Sequence, residues 1–560
     1  MHRLSRRLLA VAMLGGLLPG ITVAQTGQPK VSAPFVFASG AGNQVAPNMA
    51  ANVMVYTNCA TSSNCDIWGA DLTTRQTYPL AVGLYDEQQP STDGLRVVWR
   101  DGRATDSRNS DNRLNNFDLH GLYLEGRIPF AVTSAGSQQN RPSIWGNTVV
   151  WADFRDAKSE SDYEAGDIYM YDMPAGKETL ISNARSAQVR PVTNGKVVVW
   201  VDYRNEPDPN GVNADIYGYD LSTKQEFIIS NAPDTQTDPA ISGNTVVWAD
   251  FRAGGDDAHI YGYDLSTKKE FVVTSAKGAQ VQPGISGNIV VWSDFRNEPD
   301  RQNGTNSDIY AYDLNTRREF PVFVGPGPQS APRTSNGLVA WEDSAKGVSD
   351  FDIVAATISG INIVKPDPAP LVLPGIGTQT FVETGKTVIG LFHNYWNSNG
   401  GLPQQGFPIS DLMREVSDLN GKPYTVQYFE RAVFEYHPEE KPPYNVLLSQ
   451  LGTFQYRKKY PNGAPNQTPN NQPGSMLFPQ TNKRVGGKFL EYWNSHGRLP
   501  QQGYPISDEF QEKSDLNGQT YTVQYFERAV FELHPENAGT QYEVLLSQLG
   551  TFQYKSKYQK

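Results

Sequence analysis

The feature that most constrains this chain is a unit of about 45 residues that recurs along its first two thirds. Each copy contains four short β-type pieces: one around a proline, one ending in a triplet such as VVW, an alternating piece such as DIYGYDL, and a piece such as EFVVT. Turn-forming residues separate the pieces, which predicts four strands joined by hairpins. The prolines of the first pieces are Pro47, Pro90, Pro142, Pro191, Pro239, Pro283 and Pro332. The aromatic residues that end the second pieces are Tyr56, Trp99, Trp151, Trp200, Trp248, Trp292 and Trp341.

Seven units of four strands at this period are typical of a β-propeller. The composition agrees, because 28 Tyr, 24 Phe, 50 Gly and 38 Pro suit strands and turns better than helices. The sequence therefore predicts a mainly β chain in which residues 31–364 form a seven-bladed β-propeller, with six blades as the alternative.

The start of the repeat region predicts how the ring closes. The segment FVFASGAGNQVAP, from Phe35, matches FVVTSAKGAQVQP, from Phe271, which contains the fourth piece of a unit. The seventh unit fades after DFDIVAATI (350–358) and lacks a fourth piece of its own. We predict that 35–39 pairs beside the strand at 351–357, which would remove an exposed sheet edge. In the alternative, INIV at 361–364 completes the last blade.

The units ISGNxVVW and DIYxYDL resemble the repeats of TolB-like propellers over residues of about 31–364. That resemblance implies the propeller fold and a periplasmic or cell-surface location, and it says little about function. TolB itself has six blades, so the seven units counted here depart from it.

The first 24 residues predict export. Three arginines precede an apolar run with small residues before Gln25, the pattern of a secretory signal peptide; an uncleaved anchor is the alternative. We therefore expect a secreted, cell-surface or periplasmic protein, and we expect no transmembrane segment once the leader is removed. Cys59 and Cys65 are expected to form a local disulfide in an oxidising compartment, with two free thiols as the alternative. The net charge of −11 makes nucleic acid an improbable partner.

Five units carry the pattern Trp-x-Asp-x-Arg, which places the three side chains on one face of a strand. One interpretation is a repeated ion pair between blades with a packed Trp. The other is a ring of arginines that binds an anionic ligand. The candidate ligand-binding arginines are Arg103, Arg155, Arg204, Arg252 and Arg296.

The connections after the second and fourth strands are long, so both lie on one face of the predicted disc, where a binding surface is expected. The longest is 100–118. The Asp- and Asn-rich segments 208–215 and 300–308 could supply oxygen ligands to Ca²⁺, although they do not match an EF-hand. No other cofactor or metal is expected. The sequence contains neither G-x-S-x-G nor H-E-x-x-H, and it predicts no catalytic residue.

A second repeat follows. We divide this region into a linker (365–377), module 1 (378–459), a flexible linker (460–477) and module 2 (478–560), and we predict two small α+β modules. Each begins with a short helix that carries Trp396 or Trp493, followed by two strands in YTVQYFERAVFE. The modules resemble LGFP-type repeats, which are linked with attachment to bacterial envelopes, but they lack the LGFP tetrapeptide itself. The two Trp rings could stack on sugar, or they could pack in a core.

Together these features predict an exported binding protein that is not an enzyme. The propeller would be a recognition platform, and the modules would attach to an envelope polymer, a glycan or another surface protein. The alternative is an extracellular polysaccharide hydrolase or lyase with its site on the long-loop face.

Overall fold

In the computed structural model of the chain, seven antiparallel sheets lie between residues 30 and 359; six have four strands and the last has five. The structure describes residues 27–61, 64–83, 85–105, 117–135, 137–157, 166–205, 213–254, 257–298, 306–344 and 350–559, so the predicted leader lies outside it. The sheets correspond one for one to the sequence units, and we number these blades 1 to 7.

The strands of blades 1 to 4, in chain order, are Asn43–Ala50, Val53–Thr61, Asn64–Asp71 and Thr77–Ala81; Glu87–Thr92, Arg96–Asp101, Asp118–Tyr123 and Ile128–Thr133; Gln139–Trp145, Thr148–Asp153, Asp167–Asp172 and Lys177–Ser182; Gln188–Thr193, Val197–Asp202, Asp215–Asp220 and Gln225–Ser230. Those of blades 5 to 7 are Gln236–Ser242, Thr245–Asp250, His259–Asp264 and Lys269–Thr274; Gln280–Ser286, Ile289–Asp294, Asp308–Asp313 and Arg318–Phe323; Gln329–Ser335, Leu338–Asp343 and Asp352–Ser359, with Phe35–Ala38 and Lys30–Val31. The first strands of successive blades contact one another, including those of blades 7 and 1, and so form a closed inner ring.

The start of the chain supplies the outer strand of blade 7, as the sequence predicts. Phe35 pairs with Ala355 and Val36 with Val354, and the short strand Lys30–Val31 pairs further along the same partner. Phe37 is buried in a cluster with Met54 of blade 1 and Ile353 of blade 7, so this strand also joins two blades. The segment 361–364, the alternative candidate, forms no strand.

The second strands are buried on both faces because each lies between two neighbouring blades. In blade 4, Val199 and Val201 pack towards Trp248 of blade 5, whereas Val198 and Trp200 pack towards Val150 of blade 3. This explains why the second piece of each unit is an uninterrupted apolar run that ends in Trp or, in blade 1, in Tyr56. The predicted disulfide is also present, between Cys59 and Cys65, and joins the second and third strands of blade 1.

Each C-terminal module contains a two-stranded hairpin, two short helices, a four-stranded sheet and a final helix. The strands of module 1 are Thr378–Phe381, Lys386–Ile389, Met413–Val416, Pro423–Tyr428, Val433–Tyr436 and Val446–Leu448, and its helices are α1 (Gly390–Ser398), α2 (Gly401–Gln405) and α3 (Leu451–Lys459). The strands of module 2 are Met476–Phe478, Lys483–Val485, Phe510–Lys513, Thr520–Tyr525, Val530–Leu533 and Val544–Leu546, and its helices are α4 (Gly487–Ser495), α5 (Arg498–Gln502) and α6 (Leu549–Tyr558). Two 3₁₀ turns are Gly102–Thr105 and Pro535–Asn537. None of the helices in the described ranges is long and apolar enough to cross a bilayer.

The modules exchange their last helices. Helix α3 of module 1 packs on the strand Thr520–Tyr525 of module 2, and α6 of module 2 packs on the strand Pro423–Tyr428 of module 1. The Thr453 N–H donates to the Glu527 carbonyl at 3.0 Å, and the Thr551 N–H makes the equivalent bond to Glu430 at 3.0 Å. One hydrophobic cluster contains buried residues of both modules. The modules are therefore one interlocked unit.

The prediction of a flexible linker at 460–477 is wrong. The Thr468 N–H donates to the Glu509 carbonyl at 2.7 Å, and Asn470 Nδ2 donates to Glu509 Oε1 at 2.7 Å. Ala464 is buried in the cluster that both modules share. The segment packs along module 2 because the helix exchange brings its start onto that module.

Replacing Phe37 by Ala tests ring closure. We expect a loss of about 3–5 kcal/mol of unfolding free energy, because Phe37 fills a cluster between the first and last blades. Val36→Ala is the matched control: Val36 lies on the same strand but is 57% exposed, so its loss should cost no more than about 0.5 kcal/mol. Equal melting temperatures for F37A and V36A would contradict closure by this strand.

Replacing Gly550 by Ala tests the helix exchange. A Cβ at this position would lie 1.9 Å from the Phe429 carbonyl oxygen, so α6 must move away from module 1. We expect a loss of about 1–3 kcal/mol and a single unfolding transition for both modules, followed by calorimetry. The exposed Lys555→Ala change on the same helix is the control. Unfolding of module 2 alone, with module 1 unaffected, would show that the modules are independent.

Candidate functional site

The arginines of the Trp-x-Asp-x-Arg units are held inside their own blades. In blade 4, Trp200 Nε1 donates to Asp202 Oδ2 at 2.8 Å, and Arg204 donates to both carboxylate oxygens of Asp202 at 2.9 and 2.6 Å. The guanidinium lies 4.1 Å from the ring centre of Tyr217 on the third strand and bridges to Glu226 on the fourth. Through Arg204, one such unit thus links the second, third and fourth strands of the blade.

The same arrangement recurs around Arg155, Arg252 and Arg296, and Arg103 makes the ion pair to Asp101 without a stacked tyrosine. Hydrogen bonds from Arg155 to Asp153 raise the pKa of that guanidinium. The predicted placement between blades is wrong, because the ion pairs lie within blades. Among the described residues, contacts from these arginines to a neighbouring blade are hydrogen bonds such as that from Arg204 Nη2 to Ser182 Oγ of blade 3, at 3.3 Å. These guanidinium groups are engaged by the blade itself.

Trp396 and Trp493 pack in the modules. Trp493 is 6% exposed, and its Nε1 donates to the Gly503 carbonyl; Trp396 makes the equivalent bond to Gly406. Edge-to-face contacts with Phe381 and Phe478 complete these small cores. Trp493 is buried and Trp396 is partly buried, so both take part in core packing, the second of the two interpretations; sugar stacking by Trp396 stays a prediction.

Two repeated pairs of exposed apolar side chains lie on the modules instead. Tyr444 and Tyr542 are 63% and 55% exposed, and Leu419 and Leu516 are 50% and 51% exposed. Each pair occupies corresponding positions, just before the last strand or just after the first strand of the sheet. Sequence reasoning missed these residues because exposure, rather than residue type, distinguishes them.

The central channel of the propeller is lined by the first strands. Each of these strands has a bulge at the residue before the repeated proline, where φ lies between 49° and 55°. The residues at these seven bulges are Ala46, Gln89, Arg141, Arg190, Asp238, Gln282 and Ala331. The proline repeats while the residue before it varies, so these positions can carry a ligand-specific pattern.

Three arginines face the channel axis. Arg190 of blade 4 forms an ion pair with Asp238 of blade 5. Although the Arg141 side chain of blade 3 is exposed to the channel, the protein atoms crowded around it, and then the charge of Arg190, lower its pKa; Asp238 and Arg333 of blade 7 also act on it. Because blades 3 and 7 lie on opposite sides of the ring, Arg141 and Arg333 can interact only across the axis. Burial also lowers the pKa of Arg333.

The long-loop face contains a row of three carboxylates that is specific to blade 2. Glu87, Asp101 and Asp118 are paired across its first three strands, whereas the other six blades have Gln at the position of Glu87. Burial, and then Asp101, raise the pKa of Glu87 to about 8. Burial and Asp101 likewise raise the pKa of Asp118 to about 6. Burial alone would raise the pKa of Asp101, but hydrogen bonds from Arg103 outweigh it and lower that pKa.

Within the described ranges, no three His, Cys, Asp or Glu side chains converge as a metal site. The segments considered for Ca²⁺, 208–215 and 300–308, lie mostly outside those ranges, as does most of the loop 100–118. The assignment of Ca²⁺ stays a prediction.

The chain has similar solved structures, although its sequence matches no known family. No protein-family model matches the sequence, and no curated protein is significantly similar to it. Solved structures similar to the propeller include an oligogalacturonate lyase in complex with manganese (TM-score 0.42, 12% identity, 60% of this chain and 98% of that chain). Another is the β-propeller domain of the Trilobed protease from Pyrococcus furiosus (0.42, 12%, 56% and 95%), and a third is TolB from Acinetobacter baumannii (0.33, 17%, 56% and 82%). The chain is a mainly β protein with a β-propeller; similarity at this level says nothing about its activity.

Replacing Glu87 by Gln, the residue of the other blades, tests the carboxylate row. The folded-state pKa of Glu87 is above its unfolded value, so the folded state binds more protons between pH 4.5 and 8, and stability falls as pH rises through this window. We therefore expect E87Q to exceed the wild type by roughly 1 kcal/mol or more at pH 9 and to match it near pH 4. Gln44→Glu in blade 1 is the reciprocal control and should lose stability at high pH. A difference between wild type and E87Q that does not change with pH would contradict this assignment.

Proposed function

We propose that this chain is an exported binding protein. Its propeller presents the long-loop face to a partner, and its paired modules attach the protein to an envelope polymer or glycan. The leader pattern and the disulfide support export. The resemblances to TolB-like and LGFP-type repeats agree with an envelope role.

The observation that carries this proposal is the way the linker and module 1 occupy the opposite face. Val364 contacts the first turn of blade 6, Pro370 packs on Gly146 in the first turn of blade 3, and Arg414 of module 1 pairs with Glu125 in a turn of blade 2 at 2.8 Å. All of these are the short turns. The long-loop face therefore stays available for a partner while the modules hold the protein elsewhere.

The interlocked modules favour attachment at two sites with fixed spacing. The helix exchange relates the two sheets, so the exposed pairs Tyr444/Tyr542 and Leu419/Leu516 belong to one body. A second contact by the same body gains from high effective concentration without a flexible linker. We add these residues to Trp396 as candidates for contact with the envelope, in place of the buried Trp493.

A truncated protein that ends at Gly377 tests attachment, because it keeps the linker that packs on the propeller. We expect it to be released into the medium, whereas the full-length protein stays with the cells that produce it. The truncated protein must retain the melting temperature of the propeller. If both proteins partition alike, the modules do not attach the protein, and ligand capture becomes their better assignment.

The double change Tyr444→Ala and Tyr542→Ala locates the contact. We expect each single change to weaken retention and the double change to reduce it by about tenfold or more, since two equivalent contacts are lost. Tyr85→Ala, at a 42% exposed tyrosine of the propeller, is the control.

A second candidate function is a polysaccharide hydrolase or lyase, favoured only by the carboxylate row of blade 2. Two acids whose pKa values are pushed apart are the pattern of an acid and a base. Glu87 and Asp101 are only 3% and 0% exposed, however, so a substrate could not reach them in this conformation. Loss of polysaccharide cleavage in E87Q would support the enzyme; absence of cleavage in the wild type would exclude it for the polysaccharides tested.

A further inference from the structure

We propose that the central channel binds the carboxyl terminus of an extended peptide through Arg141, Arg190 and Arg333. This inference rests on the proposed function of the propeller as a recognition platform, and it names the ligand chemistry.

The channel contains hydrogen-bond donors that the described residues do not use. Gln89 Oε1 accepts the Arg141 N–H at 2.8 Å, and Gln282 Oε1 accepts the Ala331 N–H at 2.9 Å and the Ser293 hydroxyl at 3.2 Å, so the NH₂ groups of both amides are free to donate. In the part of the chain that the structure describes, neither NH₂ group nor the Arg141 guanidinium has a partner. Donors without acceptors call for a ligand rich in acceptors.

The acids of the channel are already engaged. Asp238 pairs with Arg190, and Glu342 Oε1 accepts the Ala46 N–H at 2.7 Å while its Oε2 accepts the Ser330 hydroxyl at 2.9 Å. Three guanidinium groups face these two carboxylates, which leaves one unbalanced positive charge. One excess charge matches a monoanion such as a carboxylate better than a phosphate dianion, and the planar fork of an arginine binds a carboxylate through two hydrogen bonds.

The linker covers one end of the channel. Val364 donates its N–H to Asn288 in the first turn of blade 6 at 2.6 Å, and Pro370 lies against the first turn of blade 3. These blades stand almost opposite each other in a ring of seven, and six residues span at most about 21 Å. The segment 365–369 therefore crosses the axis on the short-turn face, and a ligand must enter from the long-loop face.

The shape and lining of the channel favour a peptide over a sugar. No aromatic ring occupies any of the seven bulge positions, so the channel offers no stacking platform there. The seven bulge positions lie on the closed inner ring of first strands and so surround a single axis. A chain end fits this passage better than a ring or a folded surface does.

Equilibrium dialysis of the full-length protein against a randomised pentapeptide library tests the proposal. One library has free carboxyl termini, and a second has the same sequences with terminal amides. We expect the protein to retain the free-acid peptides about tenfold or more over the amides, as read by mass spectrometry, because a charged hydrogen-bonded carboxylate is lost in the amide.

Arg141→Gln should abolish this preference, while Arg318→Gln, the loss of an exposed arginine on the outer strand of blade 6, should preserve it. Both variants must keep the wild-type melting temperature; if R141Q does not, Arg141→Lys, which keeps the charge but loses the fork, takes its place and should reduce the preference. Equal retention of acids and amides, retention of neither, or an unchanged preference in the Arg141 variants would overturn the proposal. Selective retention of a tetragalacturonate probe in place of the peptides would overturn the peptide assignment. Retention of the protein by the cells is a separate readout, so failure here leaves the attachment proposal standing.

Discussion

The closed ring of the propeller depends on the pairing of the N-terminal strand Phe35–Ala38 with blade 7. A blade packs through both faces, so an open ring would leave blades 1 and 7 with a bare face each and blade 7 with an unpaired edge. Phe37 contributes to both the edge pairing and the packing between blades, since its strand belongs to blade 7 and its side chain is buried against blade 1. The channel depends on the same contact. Arginines from blades 3, 4 and 7 face one another only when the ring is closed.

The repeat itself made most of the propeller predictable. A proline in the first strand and a Trp at the end of the second recur because every blade meets the same neighbours, so the seven sheets and the pairing at Phe35 could be read from spacing alone. The residues that form the ion pairs of Arg155 and its equivalents were predicted, but the pairs were expected between blades and lie within them. A shared strand face does not reveal whether the partner lies in the same blade. Arg141 was not predicted as a site residue, because it is not part of the repeated pattern. It occupies a position that differs from blade to blade, and a search for repetition passes over such positions.

The C-terminal modules show where repetition misleads. Two similar sequences predict two similar folds, but they do not specify which copy of the final helix packs on which sheet, since both choices bury the same side chains. The close approach of Gly452 and Gly550 to carbonyls of the other module settles the exchange, and only three-dimensional contacts can reveal it. Likewise, a tract rich in Pro, Asn and Gly reads as flexible, although here Thr468 and Asn470 bind module 2.

The bulge before each repeated proline separates two tasks that one strand must perform. The backbone of the bulge and the proline belong to the structure of the blade, whereas the residue at the bulge is not buried and is Ala, Gln, Arg or Asp. Each of the seven side chains around the axis can thus be substituted without a change in the strands that form its blade. The seven bulge residues together would therefore determine which ligand the channel binds. A change of ligand would require substitutions at these positions only, with the blades unchanged.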